Sequence, residues 1–145
     1  MLIESLFAAL ATDSGMQAQL GTPATRSDST TGIFPLLAPE EVSMPYLVVQ
    51  QVSGEPLQVS YQGTGALQTT RWRFTCYGTT YKNAKVLARA LKSVLVSLNG
   101  NYTTGNAQIM GSWLRLEADD SESVAHATIF ATHVDVEINY LDNDD

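Results

Sequence analysis

Hydrophobic and polar residues alternate along this chain with two periods, one typical of helices and the other of strands. Apolar residues from Leu2 to Leu10 recur at intervals of three and four, and Thr12–Gly15 supplies residues that end helices. The same interval returns over a longer segment before Asn99-Gly100, with apolar positions at Ala84, Leu87, Ala88, Leu91, Val94, Leu95 and Leu98. Both segments are therefore predicted to be amphipathic helices.

The segments between these helices have the composition and spacing of strands. Tyr46–Val52 is rich in β-branched and aromatic residues, which predicts a largely buried strand, and a short second strand is expected at Leu57–Tyr61. Gly63–Gly65 then predicts a turn, and in Leu67–Tyr77 apolar residues alternate with arginine and threonine. Such alternation predicts a strand with one face in the core and the other in solvent.

Two long strands are predicted after the second helix. They cover Gln108–Ala118 and Val124–Tyr140, and the acidic segment Asp119–Glu122 is expected to be the solvated tip of the hairpin between them. The order of elements is then α-β-β-β-α-β-β. This order predicts an α+β fold, a mainly antiparallel β-sheet with two helices packed on one face.

Length and composition indicate one folded domain that covers residues 1–145. The chain has 44% hydrophobic and 16% charged residues, whereas disordered chains show the opposite balance, and its apolar stretches are too short to cross a membrane. Residues 21–31 are rich in Ser, Thr, Gly and Asp, which predicts an exposed, flexible loop at about 21–32. Residues 141–145 are expected to form an acidic C-terminal tail.

Residue types that commonly carry catalysis or bind metals form no recognisable constellation in this sequence. His126 and His133 are an odd number of positions apart, so on one regular strand they point to opposite faces. Cys76 is the only cysteine and falls on the apolar face of its strand, where a thiol acts as core filler. Asp119–Glu122 lacks the ligand spacing and central glycine of a calcium loop. We therefore expect no catalytic residue, no metal and no cofactor.

Charge is more informative, because its two signs are separated along the chain. The formal net charge is -7, which argues against non-specific DNA binding. Four basic residues lie on one face of the second helix, opposite its apolar stripe: Lys82, Lys85, Arg89 and Lys92. Three acidic residues lie in the predicted hairpin tip: Asp119, Asp120 and Glu122. Either both sets are solvated surfaces, or they attract each other between identical copies and set the register of a head-to-tail ring.

Four segments stand out when the chain is considered as a whole: the opening helix Ile3–Leu10, the strand segment Met44–Gly54, the junction Arg73–Ala84 and the closing strand Val134–Tyr140. Together they resemble the tail-completion family of tailed phages, whose members are also called tail terminators or tail-to-head joining proteins. The junction is the most specific, because an aromatic strand ending in Cys-Tyr leads through Thr-Tyr into an Ala/Leu-rich helix. Ile33–Pro35 is also similar to the family's segment before the first strand, although the Ser/Thr-rich loop that precedes it in this chain is longer than is usual in the family.

The resemblance implies a structural virion protein without an active site. Such a protein is assembled in the host cytoplasm as a homo-oligomeric, commonly hexameric ring at the head-proximal end of the tail. It binds the tail-tube protein and a head-completion or connector protein, DNA passes through its lumen without specific binding, and no membrane is involved. Four residues of the flexible loop are then candidates for docking to tail or head: Arg26, Ser27, Asp28 and Ser29.

Other functions are alternatives at this point. Another head-tail connector or a tail-tube subunit would have a related small α+β scaffold. A small cytoplasmic enzyme would use Cys76 or His126. A nucleic-acid-binding module would use the basic stripe Lys82–Lys92 with Tyr81 as a stacking platform, against which the net negative charge argues.

Overall fold

The computed structural model describes residues 2–21, 26, 30–36, 38, 44–59, 66–97, 102–104, 107–124 and 127–142. Within these residues the chain forms three helices, α1 (Leu2–Thr12), α2 (Ser14–Leu20) and α3 (Tyr81–Ser97). It also forms six strands, β1 (Ile33–Pro35), β2 (Tyr46–Val59), β3 (Ala66–Gly78), β4 (Tyr102–Thr104), β5 (Ala107–Val124) and β6 (Ala127–Asp142). No helix of this described part is long and apolar enough to cross a membrane.

The strands form one sheet in the order β1-β2-β3-β6-β5-β4. The long strands β2, β3, β6 and β5 are each antiparallel to their neighbours, whereas the short β1 joins β2 in parallel. The central pair, β3 and β6, is in register from Ala66 with Asp142 to Gly78 with Phe130. These two strands form the middle of the sheet, and β2 and β5 flank them.

The three helices and one face of the sheet enclose a single apolar core. On β3 the side chains of Trp72, Phe74 and Cys76 lie in this core, beside Val134 and Val136 of β6. The helices contribute buried residues from all three elements, among them Leu6, Leu10, Met16, Leu20, Leu87, Leu91 and Leu95. The predicted α+β fold, with a mainly antiparallel sheet and helices on one face, is confirmed.

The junction between β3 and α3 follows from its local sequence. Helix α3 begins at Tyr81 because Thr80 caps it: the Thr80 hydroxyl accepts a hydrogen bond from Asn83 N at 3.1 Å, and its carbonyl accepts one from Ala84 N at 3.2 Å. Gly78 is needed just before this cap, since a Cβ there would lie 2.9 Å from Ala84 N. The strand can therefore pass directly into the helix.

The predicted helix end at Thr12–Gly15 is a break between two helices. Asp13 caps α2, because its carboxylate accepts a hydrogen bond from Met16 N at 3.0 Å. Met16 and Leu20 are buried, so α2 contributes to the core, and the predicted loop begins only after this helix. The structure thus has three helices where two were predicted, and the chain leaves α2 at Gly21, which has a φ of 83°.

β2 is one long strand, whereas the sequence predicted two short ones. It spans Tyr46–Val59 and shifts register twice, around Val52 and around Leu57. Such bulges keep a strand in its sheet but interrupt the alternation of its side chains, which hides the continuity of the strand in the sequence. The end of the predicted strand Leu57–Tyr61 and the turn Gly63–Gly65 lie outside the described residues.

The prediction of a hairpin tip at Asp119–Glu122 is wrong. These residues lie inside β5, where they pair with Ile129–Thr132 of β6, and the chain reverses between Val124 and Ala127. A strand accommodates this acidic segment because neighbouring elements compensate part of its charge: Lys85 lies beside the Asp119 carboxylate, and the Tyr81 hydroxyl donates a hydrogen bond to it.

The predicted flexible loop and the predicted acidic tail are only partly described. Of the loop at 21–32, residues 22–25 and 27–29 lie outside the described part, and Gly32 precedes β1. Of the tail at 141–145, Leu141 and Asp142 belong to β6, and residues 143–145 lie outside the described part. The end of β6 is therefore later than predicted.

Candidate assembly surfaces

The basic face of α3 and the acidic part of β5 meet within one molecule. Lys85 Nζ lies 2.9 Å from Glu117 Oε2 and 2.8 Å from Asp119 Oδ1. Lys92 Nζ lies 2.5 Å from Glu117 Oε1, and the Tyr81 hydroxyl donates to Asp119 Oδ2 at 3.0 Å. These five residues, which we call the α3–β5 cluster, tie the helix to the strand.

The α3–β5 cluster favours the ionised forms of its members. Hydrogen bonds from Lys92 and then from Lys85 hold the pKa of Glu117 below its ordinary value, and the bond from Lys85 does the same for Asp119. In return, Asp119 and Glu117 raise the pKa of Lys85. Because these side chains are partly exposed, each ion pair is expected to stabilise the fold by only about 0.2–1 kcal/mol.

Some of the charged residues that were predicted to lie between copies are therefore paired within one chain. Three residues of that set have partners in their own chain: Lys85, Lys92 and Asp119. Lys82 and Arg89 project from exposed positions of α3, and Asp120 lies 4.0 Å from His133. Glu122 is a residue of β5. Attraction between copies through Lys82, Arg89, Asp120 and Glu122 stays a prediction.

The face of the sheet opposite the helices, which we call the open face, carries arginines and carboxylates in pairs. Arg73 forms a two-bond fork with Asp135, in which Nε donates to Oδ1 at 2.8 Å and Nη2 donates to Oδ2 at 3.1 Å. Asp135 is only 3% exposed, and Arg73 holds the pKa of its carboxyl below the usual range. Arg115 donates to Glu137 at 2.7 Å. Carboxylates of the same chain therefore occupy Arg73 and Arg115.

The residues that were considered for catalysis are not brought together. Cys76 is fully buried in the core, and burial raises the pKa of its thiol, so the thiol stays protonated. His133 lies on the open face, with Nδ1 3.0 Å from the Thr75 hydroxyl, and His126 lies outside the described residues. In the described part of the chain, no group of three or more His, Cys, Asp or Glu residues could hold a metal ion.

Arg26, which was predicted to be an exposed docking residue, is buried and 8% exposed. Its Nη1 donates to the carbonyl oxygens of Leu20 at 2.8 Å and Pro45 at 2.6 Å, so it ties the end of α2 to the start of β2. Gly32 has a φ of 76° and lies against the guanidinium, where a Cβ would be 2.8 Å from Nη1. Docking by residues 27–29 stays a prediction, because they lie outside the described part.

Three exposed apolar side chains lie on β5, and the sequence patterns did not predict their exposure. Trp113, Leu114 and Leu116 are 46%, 53% and 44% exposed. The Trp113 ring lies against Gly111, where a Cβ would be 2.8 Å from the ring. The sequence contained a sign of this arrangement, because adjacent Trp113 and Leu114 lie on opposite faces of the strand and cannot both enter the core.

A second group of exposed apolar residues lies at the opposite side of the sheet. Val52, at the first register shift of β2, is 47% exposed, and Leu36, just after β1, is 70% exposed. Leu36 also has a φ of 62°, which an L-residue with a branched side chain adopts only at an energetic cost. Its N–H donates to Val49 O at 2.9 Å, so the strained residue is fixed against β2.

Comparison with known proteins places this arrangement in a family. The sequence matches the family described as Tail completion protein gp17 over residues 4–128. In three dimensions the chain is similar to a chain of the virion of a native gene transfer agent particle, with a TM-score of 0.64 and 16% sequence identity. The similarity covers 94% of this chain and 91% of that chain. A comparison with curated proteins finds no match.

The family match begins in α1 and ends in β6, so it includes both flanks of the sheet and the α3–β5 cluster. The likeness to the virion chain supports the fold over nearly the same length. The chain therefore belongs to the tail completion protein gp17 family, and it is a structural protein of a phage tail.

Proposed function

We propose that this chain caps the head-proximal end of a phage tail tube and joins the tail to the head connector, as one copy in a homo-oligomeric, hexameric ring. The observation that carries the proposal is the match to the tail completion family over residues 4–128. The similarity of the fold to a virion chain supports it, because that chain also belongs to an assembled particle. The partners in this proposal are further copies of the chain, the tail-tube protein and a head-completion protein.

The chemistry of the described residues supports a purely structural role. Cys76 lies in the core with a raised pKa, and the His133 imidazole faces a threonine hydroxyl on the other side of the sheet. A nucleophile and a base so placed have no common substrate position. We therefore assign no catalytic step to the chain, and the proposed role requires only contacts between proteins.

In the same proposal, DNA passes through the ring without being held. The net charge of -7 and the pairing of Arg73 with Asp135 and of Arg115 with Glu137 support this, because paired guanidinium groups are less available to phosphates. The assembled protein is expected to bind duplex DNA weakly at physiological salt. Tight binding that weakens steeply with added salt would contradict this part of the proposal.

Electron microscopy of particles assembled without this protein tests the main claim. A protein that closes the tail should, when absent, leave overlong tails or tails that are not joined to heads, and supplying the wild-type chain should restore joined particles. A complete absence of tails would instead indicate a tail-tube subunit. Normal particles with joined tails would exclude both roles.

A further inference from the structure

The two sides of the sheet each leave a strand edge unpaired among the described residues. β1 pairs with β2 only at Leu47–Val49, and β4 pairs with β5 only at Ala107–Ile109. Beyond these short contacts, no described strand pairs with the outer side of β2 from Gln50 onwards or of β5 from Gly111 onwards. An unpaired strand edge presents backbone donors and acceptors that another strand can bind.

The side chains at these two edges are unusual for edges exposed to water. Natural proteins commonly protect such edges with lysine, proline, inward-pointing charges or bulges, and both strands carry one bulge in this stretch, at Val52 and at Arg115. At the outer side of β5, by contrast, Trp113, Leu114 and Leu116 are exposed, and at the outer side of β2 Val52 is exposed. Apolar side chains beside an open edge favour association with another strand over solvation.

The directions of the strands show which strand of a second copy can pair with the free edge of β5. β2, β3, β6 and β5 alternate in direction, so β5 runs opposite to β2 of its own chain. A second copy placed beside the first by rotation about an axis along the strands therefore presents its β2 antiparallel to β5. The alternation of the sheet continues from one copy to the next. The same step can be repeated, as a ring requires, because each copy uses one edge and leaves the other free.

The register of the sheet puts the free parts of both edges at the same height. Across the paired strands, Gln50 is level with Leu116, Ser53 with Trp113 and Glu55 with Gly111. Cyclic symmetry rotates copies without shifting them along the axis, so these levels meet in neighbouring copies.

At each end of the stretch in which both edges are free, one of the two edges is already covered. Val49, at one end, is covered by β1, and Ile109, at the other end, is covered by β4. Pro56, which has no N–H to donate, is level with Ile109 and so falls outside this stretch. Since one edge is covered at each end of the stretch, both edges are free together only over these rows.

We propose that consecutive copies of this chain join edge to edge, with β5 residues 111–116 of one copy hydrogen-bonded antiparallel to β2 residues 50–55 of the next. This inference rests on the proposed ring and specifies how its copies meet. Trp113, Leu114, Leu116 and Val52 are buried in the contact. Closing the ring pairs both of these edge segments in every copy, which also explains how their exposed apolar side chains are tolerated in the assembled protein.

The test uses three full-length variants that each block one edge. Leu114→Lys blocks β5, with Leu116→Lys as a second variant of the same edge, and Val52→Lys blocks β2. Ala18→Lys, on an exposed position of α2, is the matched control for an added lysine. Circular dichroism verifies that each variant is folded, and sedimentation velocity measures its assembly, alone or on tails that lack this protein.

Each edge variant alone is expected to associate at least about tenfold more weakly than wild type, while Ala18→Lys assembles normally. A mixture of Leu114→Lys and Val52→Lys is expected to form 1:1 dimers that grow no further, because each variant retains the edge that the other needs. Normal self-assembly of Val52→Lys, or normal rings of all variants, would overturn the edge-to-edge contact but leave the ring intact. Wild-type protein that stays monomeric alone and on tails would contradict the proposed function as well.

Discussion

The central strands β3 and β6 differ from the flanking strands β2 and β5 in how their two faces are satisfied. In the centre, Phe74 and Val134 are buried under the helices, and on the open face Arg73 and Asp135 neutralise each other. On the flanking strands, apolar residues such as Leu114 stay exposed within a single copy. The comparison indicates that the centre is complete in one molecule, whereas in the proposed ring the flanks are completed by neighbouring copies.

The largest expected effect separates the two regions by stability. Phe74→Ala should lower the free energy of unfolding by about 3–5 kcal/mol, because it leaves a cavity in the core. Leu114→Ala should cost less than about 0.5 kcal/mol in the dissociated protein and weaken assembly instead. Urea denaturation at a protein concentration low enough for dissociation measures the free energy of unfolding of both variants. Equal losses for the two variants would show that the flank is part of the core of a single copy.

A smaller effect is expected on the open face of the centre. Asp135→Asn should lower the free energy of unfolding by about 1–2 kcal/mol, because a buried carboxylate is lost from the Arg73 fork, whose arginine is itself partly exposed. Glu137→Gln is the matched control, since its bond to Arg115 lies in solvent and should be worth less than about 0.5 kcal/mol. If the control is the more damaging change, the assignment of the stabilising pair is wrong.

Acid should weaken both the centre and the α3–β5 cluster. The pKa values of Asp135, Asp119 and Glu117 are lowered in the folded protein from ordinary values of 3.8 for aspartate and 4.5 for glutamate. A lowered pKa contributes stability that is present above the ordinary value and is lost as the pH falls through the folded value. We expect the free energy of unfolding to drop by about 1 kcal/mol as the pH falls below about 4.5, and urea denaturation from pH 7 to pH 3 measures it. Greater stability at pH 3 than at pH 7 would be inconsistent with these pairs.

The smallest effect concerns the strained residue beside the β2 edge. Leu36→Asn should raise the free energy of unfolding by about 0.5–1 kcal/mol, because asparagine tolerates a positive φ better than leucine. Leu36 lies beside Val49, outside the proposed contact, so the change should leave assembly unaffected. Thermal denaturation and sedimentation velocity measure the two outcomes. A variant that is less stable than wild type would contradict the assignment of strain to Leu36.

Sequence patterns predicted the centre of the fold well, because each central element follows one period throughout. The alternation at Trp72, Phe74 and Cys76 correctly predicted the buried face of β3. The apolar stripe from Ala84 to Leu95 correctly predicted the buried face of α3. Burial on one side and solvent or polar partners on the other produce such regular patterns.

The flanks were predicted less well for physical reasons that are local to them. Two bulges interrupt the alternation of β2, and the carboxylate of Asp119, which favours a loop in isolation, is compensated by Lys85 from a distant helix. Arg26 was assigned to the surface because it lies in a segment rich in Ser, Thr, Gly and Asp, but the carbonyls of Leu20 and Pro45 satisfy its guanidinium in the interior. Partners that are far away in sequence cannot be read from composition or period.

The positions of the two tryptophans have an optical consequence. Trp72 is 4% exposed and donates its indole N–H to Thr70 Oγ1 at 2.8 Å, whereas Trp113 is 46% exposed on β5. An indole in water emits at longer wavelength than one in an apolar environment. In the proposed ring, joining of copies through β5 should therefore shift the fluorescence of Trp113 towards the blue, whereas unfolding should shift that of Trp72 towards the red. The unlabelled protein is then expected to report its assembly and its denaturation by spectral changes of opposite sign.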